Sequence, residues 1–230
     1  MGTVILIRHA CSVANTENVL AGQTPGVRLD AQGLEQSANL AETLGNLPVS
    51  KVFVSPLERC LATISPWIAR YGQGVEIESD SRIIEPDYGT WSGRKLEELS
   101  LEPLWKDVQQ NPESVIFPRG ERFIDVWSRV QDFYHALTDF IENSTESSAN
   151  IVVVSHGDII KFLIANVLKM EFKNFQSLIV EPASISLVQI SASGARLMQH
   201  NRSEQSISEL LKKNIVATLG GESQSNRRAQ

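Results

Sequence analysis

Three short, largely apolar runs recur along the chain, at positions 4–7, 51–54 and 151–154. Each run is too short for a helix and rich in β-branched residues, which is typical of buried strands in a parallel sheet. In open α/β sheets, ligands bind just beyond the carboxyl ends of the strands. The pattern therefore predicts that the residues directly after these runs meet at one edge of a single sheet.

Between the first two runs, apolar residues recur at helical spacing. This pattern predicts an amphipathic helix over residues 31–45 that covers the sheet. Its proposed buried positions are Leu34, Ala38, Ala41 and Leu44. After the second run, Ser55 followed by Pro56 and Glu58 indicates a helix start, with Ser55 as the N-cap and Glu58 closing a capping box. That helix should run to about residue 71.

The second half of the chain predicts a long amphipathic helix from Phe123 to Ile141 and another helix from Asp158, which we expect to act as its cap, to about Leu168. Residues 75–78 predict a short strand. Residues 185–190 and 195–199 predict an antiparallel hairpin at the sheet edge.

The fold class predicted from this order is α/β, a mostly parallel sheet with an antiparallel edge and helices on both faces. Prolines and scattered aromatics over about 94–122 indicate a small helical insertion over the site. Residues 1–202 should form one domain. Residues 203–230 should add a C-terminal helix over 206–219 and a mobile polar tail.

The 230 residues carry a formal net charge of −6, which argues against nucleic acid and anionic membranes as partners. The two cysteines, Cys11 and Cys60, lack metal-ligand spacing and fit a reducing cytoplasm as buried, inert thiols. The sequence shows neither a signal-peptide pattern nor an apolar run of membrane-spanning length. We therefore expect a cytoplasmic protein, and a homodimer is left open.

The residues after the three predicted strands carry the chemistry. Arg8 and His9 follow the first, Arg59 lies in the helix start after the second, and His156 follows the third. Four cationic or potentially cationic groups would repel one another unless an anion lies among them, and arginine pairs bidentately with tetrahedral oxyanions. A phosphoryl group fits this set. A catalytic metal is not expected, because a third ligand is missing and arginines are adjacent.

Nucleophilic catalysis by imidazole remains. A neutral His9, its other nitrogen held by a backbone carbonyl, would attack phosphorus while Arg8, Arg59 and His156 stabilise the charge. Asn15 would add a neutral donor. A leaving alkoxide needs a proton, for which we choose Glu85, with Asp87 as the less favoured alternative.

Four segments, 8–15, 55–59, 85–93 and 155–157, resemble the motifs of the histidine phosphatase superfamily, also called phosphoglycerate mutase-like. In order, these motifs are Arg-His-Gly-x-Thr-x-x-Asn, Ser-x-Leu-x-Arg, Glu-x-x-x-Gly-x-Trp-x-Gly and His-Gly. The resemblance implies a phosphohistidine intermediate at His9, with Glu85 as acid and then as base for water. It implies no metal or cofactor.

The expected substrate- or phosphate-binding residues are Asn15, Ser12, Gln23 and Gly157. The sequence departs from the family pattern in three places. Ser12 replaces the usual threonine and keeps the hydroxyl. Ala10 replaces the signature glycine, which would be costly if the position needs a positive φ. Arg119 and Arg122 replace glycine and serine in a Pro-Gly-Gly-Glu-Ser segment, either to extend an anion site or, the favoured interpretation, to face water.

A phosphomonoesterase that acts on a small phosphorylated substrate is the first functional hypothesis. A phosphoglycerate mutase ranks second, because cofactor-dependent mutases of the family carry extra arginine-bearing segments after the first strand and in the insertion. This chain is shorter in those regions, with only Arg28 in the early loop. A non-catalytic phospho-ligand binding module ranks third and is suggested by Ala10 alone. We expect His135 and His200 to be structural or solvated.

Overall fold

The computed structural model describes residues 1–144, 149–203 and 219, and contains a six-stranded sheet in the order β3-β2-β4-β1-β5-β6. The first four strands in this order are parallel, and β5 and β6 form an antiparallel edge. The strands are β1 (Gly2–Arg8), β2 (Lys51–Val54), β3 (Glu76–Ser79), β4 (Ala149–Ser155), β5 (Ile185–Ser191) and β6 (Gly194–Arg202). The predicted fold class is confirmed.

Seven α-helices lie within these described residues. They are α1 (Val13–Thr16), α2 (Ala31–Leu44), α3 (Glu58–Tyr71), α4 (Leu96–Leu99), α5 (Pro103–Gln110), α6 (Phe123–Asn143) and α7 (Gly157–Leu168). Short 3-10 helices occur at Ser81–Ile83, Gly89–Trp91, Pro112–Ser114 and Phe172–Ser177. No helix among the described residues is both long and apolar enough to span a bilayer.

Alternation along the central strands produces two cores, one on each face of the sheet. In β1, Val4 and Leu6 pack against the face that carries α6 and α7, while Ile5 and Ile7 pack against the face that carries α2 and α3. Successive strand residues point to opposite faces, so a continuous apolar run is needed when both faces are covered. The two cores hold β1, β4 and β2 side by side and bring their carboxyl ends together.

The predicted buried face of α2 is confirmed at Ala41 and Leu44 but is wrong in the first half of the helix. Leu34 is 60% exposed, and the face turned inward includes Gly33 and Ser37. A Cβ on Gly33 would lie 1.9 Å from the carbonyl oxygen of Cys11, and Ser37 Oγ donates to the carbonyl of Thr63 at 2.8 Å. These small residues allow α2 to lie close both to α3 and to the loop that follows β1. Close packing, rather than the spacing of apolar residues, therefore decides which face of α2 is buried here.

The predicted start of α3 is also wrong. Leu57 is the N-cap, without a side-chain cap bond, and the helix begins at Glu58. Ser55 Oγ instead lies 2.7 Å from Nε2 of His156, a contact across the sheet that local spacing does not reveal. Similarly, His156 occupies the N-cap position of α7, so Asp158 is not the cap.

The remaining elements follow the predictions closely. The long helix α6 buries Phe123, Val130 and Ile141, and the hairpin turns before Gly194, whose φ is 113°. His200, expected beyond the last strand, lies within β6. The predicted helix over 206–219 and the mobile tail fall outside the described residues, apart from Leu219.

Candidate active site

The carboxyl ends of β1 and β4 place two imidazoles beside each other, and α3 supplies a guanidinium between them. The ring centroids of His9 and His156 are 5.2 Å apart. Arg59 Nε donates to His9 Nε2 at 3.3 Å, and Arg59 Nη2 lies 3.3 Å from His156 Nδ1. All three side chains are buried. Distant parts of the chain thus converge as the strand-end pattern predicted.

His9 is held in one tautomer. Its Nδ1 lies 2.8 Å from the carbonyl oxygen of Ala10, and because a carbonyl can only accept, Nδ1 carries the proton. The lone pair of Nε2 therefore faces the cleft. The backbone N–H of Ala10 is fixed in turn by Thr63 Oγ1 at 2.9 Å. Ala10 is not among the described residues with positive φ, so replacing the signature glycine introduces no left-handed strain there.

Burial keeps both imidazoles neutral. The pKa of His9 is held well below its ordinary value of 6.5, first by burial and then by Arg59, His156 and Arg8. The pKa of His156 is lowered by burial and by the same two arginines. Arg8 is itself buried and donates from Nη1 to the carbonyl of Val180 at 2.6 Å. Fixed positive charges therefore surround an uncharged nucleophilic nitrogen.

Glu85 completes the cluster from the loop that follows β3. Its Oε2 lies 2.9 Å from His156 Nδ1 and 3.7 Å from Arg59 Nη2. Burial raises the pKa of Glu85 above its ordinary value, and Arg59 and Arg8 oppose that shift. Asp87, the alternative acid, accepts instead from the backbone N–H of Gly89 at 2.9 Å.

A clamp on its backbone positions Glu85. Gln23 Nε2 donates to the Glu85 carbonyl at 2.8 Å, and Arg129 of α6 donates to the carbonyls of Arg82, at 2.7 Å, and Glu85, at 3.4 Å. Arg129 is fixed by Glu121, which also accepts from the N–H of Asp87 at 2.8 Å. Sequence reasoning missed Arg129, and proposed Gln23 as a ligand-binding residue, whereas its amide is engaged with the loop.

The other predicted binding residues have different positions. Ser12 Oγ donates to Asn15 Oδ1 at 2.8 Å, so the NH₂ end of Asn15 is the one that can donate to an anion. Both residues line the cleft above His9. Ser12 therefore orients Asn15. Gly157, by contrast, is buried in the first turn of α7 and does not line that cleft.

The cleft is also lined by Leu20, Gly22, Leu96 and Leu219. Leu96 begins α4, so the predicted insertion does reach the site. Leu219 is 1% exposed and belongs to the core on the α6 and α7 face. No motif points to this residue, because a single leucine far along the sequence carries no spacing signal.

The site also contains a set of groups that metals use. Donor atoms of His9, Glu85 and His156 lie within 4.8 Å of one another. However, Arg59 contacts both imidazoles and lies beside the carboxylate, and Arg8 adds a second buried positive charge. A divalent cation would be repelled here, whereas a phosphoryl dianion would be attracted, so the donor set fits an anion better.

Two arginines that depart from the family pattern are exposed. Arg119 has a φ of 62°, in the left-handed region, and Arg122 forms a surface pair with Asp125 at 3.7 Å. His135 is exposed on α6. Cys60 is buried and its pKa is raised to about 12 by burial, which fits the prediction of an inert thiol.

Comparison with known proteins agrees with this geometry. Phosphoserine phosphatase 1 of Hydrogenobacter thermophilus is 29% identical over 226 residues, covering 96% of this chain and 95% of that protein. A probable phosphoglycerate mutase of Erwinia tasmaniensis is 27% identical over 187 residues, covering 80% of this chain and 83% of that protein.

The crystal structure of phosphoserine phosphatase from Entamoeba histolytica in complex with 3-phosphoglyceric acid is similar, with a TM-score of 0.75 and 25% identity, covering 89% of this chain and 98% of that chain. A model of the histidine phosphatase superfamily, branch 1, matches residues 4–203. That match spans most of the chain and includes every residue in the cluster around His9. The chain belongs to branch 1 of the histidine phosphatase superfamily, and is a phosphatase or a mutase of that family.

Proposed function

We propose that this protein is a metal-independent phosphatase that hydrolyses a small phosphomonoester through a phosphohistidine on His9. The supporting observation is the fixed tautomer of His9, which directs the Nε2 lone pair at a space bordered by Arg59 and Glu85, with the His156 ring centroid 5.2 Å from that of His9. A neutral imidazole beside fixed guanidinium groups is suited to attack a phosphoryl group whose charge those groups neutralise.

In the first step, His9 Nε2 forms a bond to phosphorus as the bond from phosphorus to the substrate oxygen breaks. The phosphoryl oxygens accept from the N–H groups of Arg59, one of which donates to His9 Nε2 in the free protein, and Asn15 donates its amide N–H. Glu85 is buried and its pKa is raised, so it can deliver a proton to the departing alkoxide. The products of this step are the free alcohol and phosphohistidine.

In the second step, a water molecule enters the space that the alcohol has left. Glu85, now a carboxylate, accepts a proton from this water as its oxygen bonds to phosphorus. The bond between phosphorus and Nε2 breaks, which releases inorganic phosphate and restores neutral His9. The two steps use the same two groups in opposite roles. His9 is the nucleophile in the first step and the leaving group in the second, and Glu85 is first the acid and then the base.

O-Phosphoserine is the first substrate to test, since two similar proteins carry the name phosphoserine phosphatase. It is a small alkyl phosphate, and Leu96 and Leu219 supply apolar lining to the cleft that would receive it. An alkyl leaving group also makes use of a general acid, which Glu85 provides in this proposal.

The test is trapping of the intermediate with ³²P-labelled substrate in the presence of a metal chelator. The wild-type protein should form an acid-labile, base-stable phosphoryl adduct and release phosphate. His9→Ala should do neither, while His135→Ala, which removes an exposed histidine of α6, should behave like wild type. Full turnover by His9→Ala would refute the proposal, and isomerisation of 3-phosphoglycerate without net phosphate release would identify a mutase instead.

Glu85→Gln provides a sharper prediction, because its effect should depend on the leaving group. With O-phosphoserine, kcat should fall by about 10² to 10⁴. With p-nitrophenyl phosphate, whose phenolate leaves without a proton, a burst of one p-nitrophenol per enzyme should precede slow turnover, because water still lacks its base. Equal steady rates for variant and wild type with both substrates would contradict the role of Glu85.

A further inference from the structure

Two fully buried side chains beside the cluster have no part in the reaction described above. Tyr88 lies three residues after Glu85 in the same loop, and Asp158 lies in the first turn of α7, two residues after His156. Tyr88 Oη is 3.1 Å from Glu85 Oε1 and 2.9 Å from Asp158 Oδ2. A phenol therefore joins the proposed acid to a second buried carboxyl group.

The number of protons limits how these three groups can bond. Burial, Asp158 and Glu85 raise the pKa of Tyr88 well above its ordinary value of 10, so Tyr88 stays a neutral phenol with one O–H. One O–H cannot donate to two carboxylates at once. Both contacts are hydrogen bonds when one carboxyl group is protonated and donates to the phenol oxygen.

Lys161 indicates which carboxyl group is ionised. Its Nζ lies 3.7 Å from Asp158 Oδ1, and both side chains are wholly buried. Lys161 also donates to Gln176 Oε1 at 3.2 Å. A buried ammonium group requires an opposite charge close by, which assigns the negative charge to Asp158 and leaves the proton on Glu85.

The same assignment is consistent with the contacts on the other side of Glu85. Ser55 Oγ can donate to His156 Nε2 at 2.7 Å, and His156 Nδ1 can then donate to Glu85 Oε2 at 2.9 Å, while Arg59 Nη2, 3.3 Å from the same nitrogen, donates to the Gly22 carbonyl at 2.9 Å. With the proton on Glu85, Oε1 is the donor in its 3.1 Å contact with the Tyr88 oxygen, and Tyr88 donates to Asp158 Oδ2 at 2.9 Å. Four hydrogen bonds then run in one direction and end at the carboxylate paired with Lys161.

We propose that Tyr88 and Asp158 are positioning residues that hold Glu85 in its protonated, acid form before substrate binds. This inference rests on the proposed role of Glu85 as general acid. It assigns to the loop tyrosine and to the first turn of α7 a task beyond packing: the ionised Asp158 takes the only phenol proton, so that Glu85 must keep its own.

The groups around Glu85 predict how the pH at which it ionises should change when Asp158 is replaced. The charged or titratable groups that face it are Arg8, His9, Arg59, Tyr88, Arg129, His156 and, through Tyr88, Asp158. The arginines favour the carboxylate, whereas burial and Asp158 favour the acid. Asp158→Asn removes the like charge and frees the Tyr88 proton for Glu85, so Glu85 should ionise about one to two pH units lower.

Infrared difference spectroscopy across pH tests the proton location without reference to activity. The wild-type protein should show the C=O stretch of a buried protonated carboxyl group near neutral pH. This band should be absent in Glu85→Gln and present in Asp158→Asn, where it should titrate at lower pH. The alkaline limb of kcat/KM for O-phosphoserine should shift in the same direction and by a similar amount.

Three further variants keep this test decisive. Asp158→Asn/Lys161→Met removes both members of the buried pair, so it should fold even if Asp158→Asn alone does not, and should show the same shift. Asp80→Asn removes another buried, ion-paired carboxylate, 2.6 Å from Arg82 Nη2, and should leave the band and the limb unchanged. Tyr88→Phe should shift the band to higher wavenumber, because the carboxyl group loses a hydrogen-bond partner.

A band that persists in Glu85→Gln and disappears in Asp158→Asn would place the proton on Asp158 and overturn the inference. An unchanged Glu85 titration in both Asp158 variants would do the same. In either case a wild-type protein that still forms the phosphoryl adduct leaves the proposed function intact. A wild-type protein that forms no adduct refutes the function, whatever the infrared spectra show.

Discussion

At the scale of single residues, the chemistry of His9 depends on which group holds its second nitrogen. The Ala10 carbonyl fixes the proton on Nδ1 at 2.8 Å, and burial keeps the ring neutral. A histidine on the surface would lack both constraints and would be partly protonated near its ordinary pKa. Local backbone and burial therefore keep the ring neutral and its Nε2 lone pair unprotonated, as the proposed attack on phosphorus requires.

At Arg119 the backbone conformation, rather than the side chain, determines how the residue affects the free energy of unfolding. It is exposed and has a φ of 62°, a conformation that favours glycine. Arg119→Gly should therefore raise the free energy of unfolding by about 1 kcal/mol. Urea unfolding measures the change.

Arg122→Gly is the matched control for that experiment. Arg122 is a nearby exposed arginine with a φ of −76°, so glycine relieves no strain there and should give no stabilisation. If Arg119→Gly is no more stable than Arg122→Gly, backbone strain at Arg119 is refuted. A large rise in KM on replacing Arg119 would contradict the interpretation that it faces water.

At the scale of elements, the loop that carries Glu85 is held by close contact with the segment before α6. A Cβ on Gly89 would lie 2.1 Å from the carbonyl oxygen of Pro118, and one on Gly120 would lie 2.2 Å from that of Asp87. Thr90 N–H donates to the Pro118 carbonyl at 2.8 Å. The two glycines allow the two backbone segments to come into contact, and this contact fixes the position of Glu85, the proposed acid.

Gly89→Ala should therefore be costly for both folding and activity. The added methyl group meets backbone atoms that cannot rotate away, and φ at Gly89 is also positive, at 54°. We expect a loss of roughly 3 kcal/mol or more in the free energy of unfolding, and a reduced kcat as Glu85 moves. Urea unfolding and steady-state kinetics measure the two effects.

Gly93 offers a control in the same loop. Its φ is 83°, but a Cβ there would meet nothing within 4 Å. Gly93→Ala should thus cost about 1 kcal/mol from the left-handed conformation alone, with kcat unchanged. Similar losses of stability and activity in the two variants would show that the close contact between the segments is not what positions Glu85.

At the scale of the whole molecule, the buried site couples stability to pH. The pKa values of His9 and His156 are lowered on folding, so the unfolded chain takes up two protons below its ordinary histidine pKa of 6.5 that the folded protein does not. The stability they contribute is present above pH 6.5 and is lost as pH falls towards their folded pKa values. Within that pH range, each of the two histidines lowers the free energy of unfolding by about 1.4 kcal/mol for every pH unit that the pH falls.

Glu85 acts in the opposite direction. Its pKa is raised on folding, so its contribution is present below its ordinary value of 4.5 and is lost as pH rises through the folded pKa. Two histidines outweigh one carboxyl group. We therefore expect the free energy of unfolding to fall as pH is lowered from about 7 to about 5.

Urea unfolding at several pH values checks this expectation. The decline should be steeper in Glu85→Gln, which removes the opposing group, and shallower in His156→Asn. His135→Gln removes an exposed histidine and should leave the slope unchanged. A wild-type stability that is flat or rises towards pH 5 would contradict the assignment of two neutral buried imidazoles.

The sequence alone determined the sheet and the convergence of its strand ends, because parallel strands buried on both faces need continuous apolar runs, and residues such as His9 and His156 directly follow those runs. Only the tertiary structure decided contacts between distant segments. Ser55 looks like a helix cap in the sequence but contacts His156, and Asp158 looks like another cap but contacts Tyr88. Local spacing records which element a residue belongs to, whereas the buried partner that it finds is decided by how the elements pack.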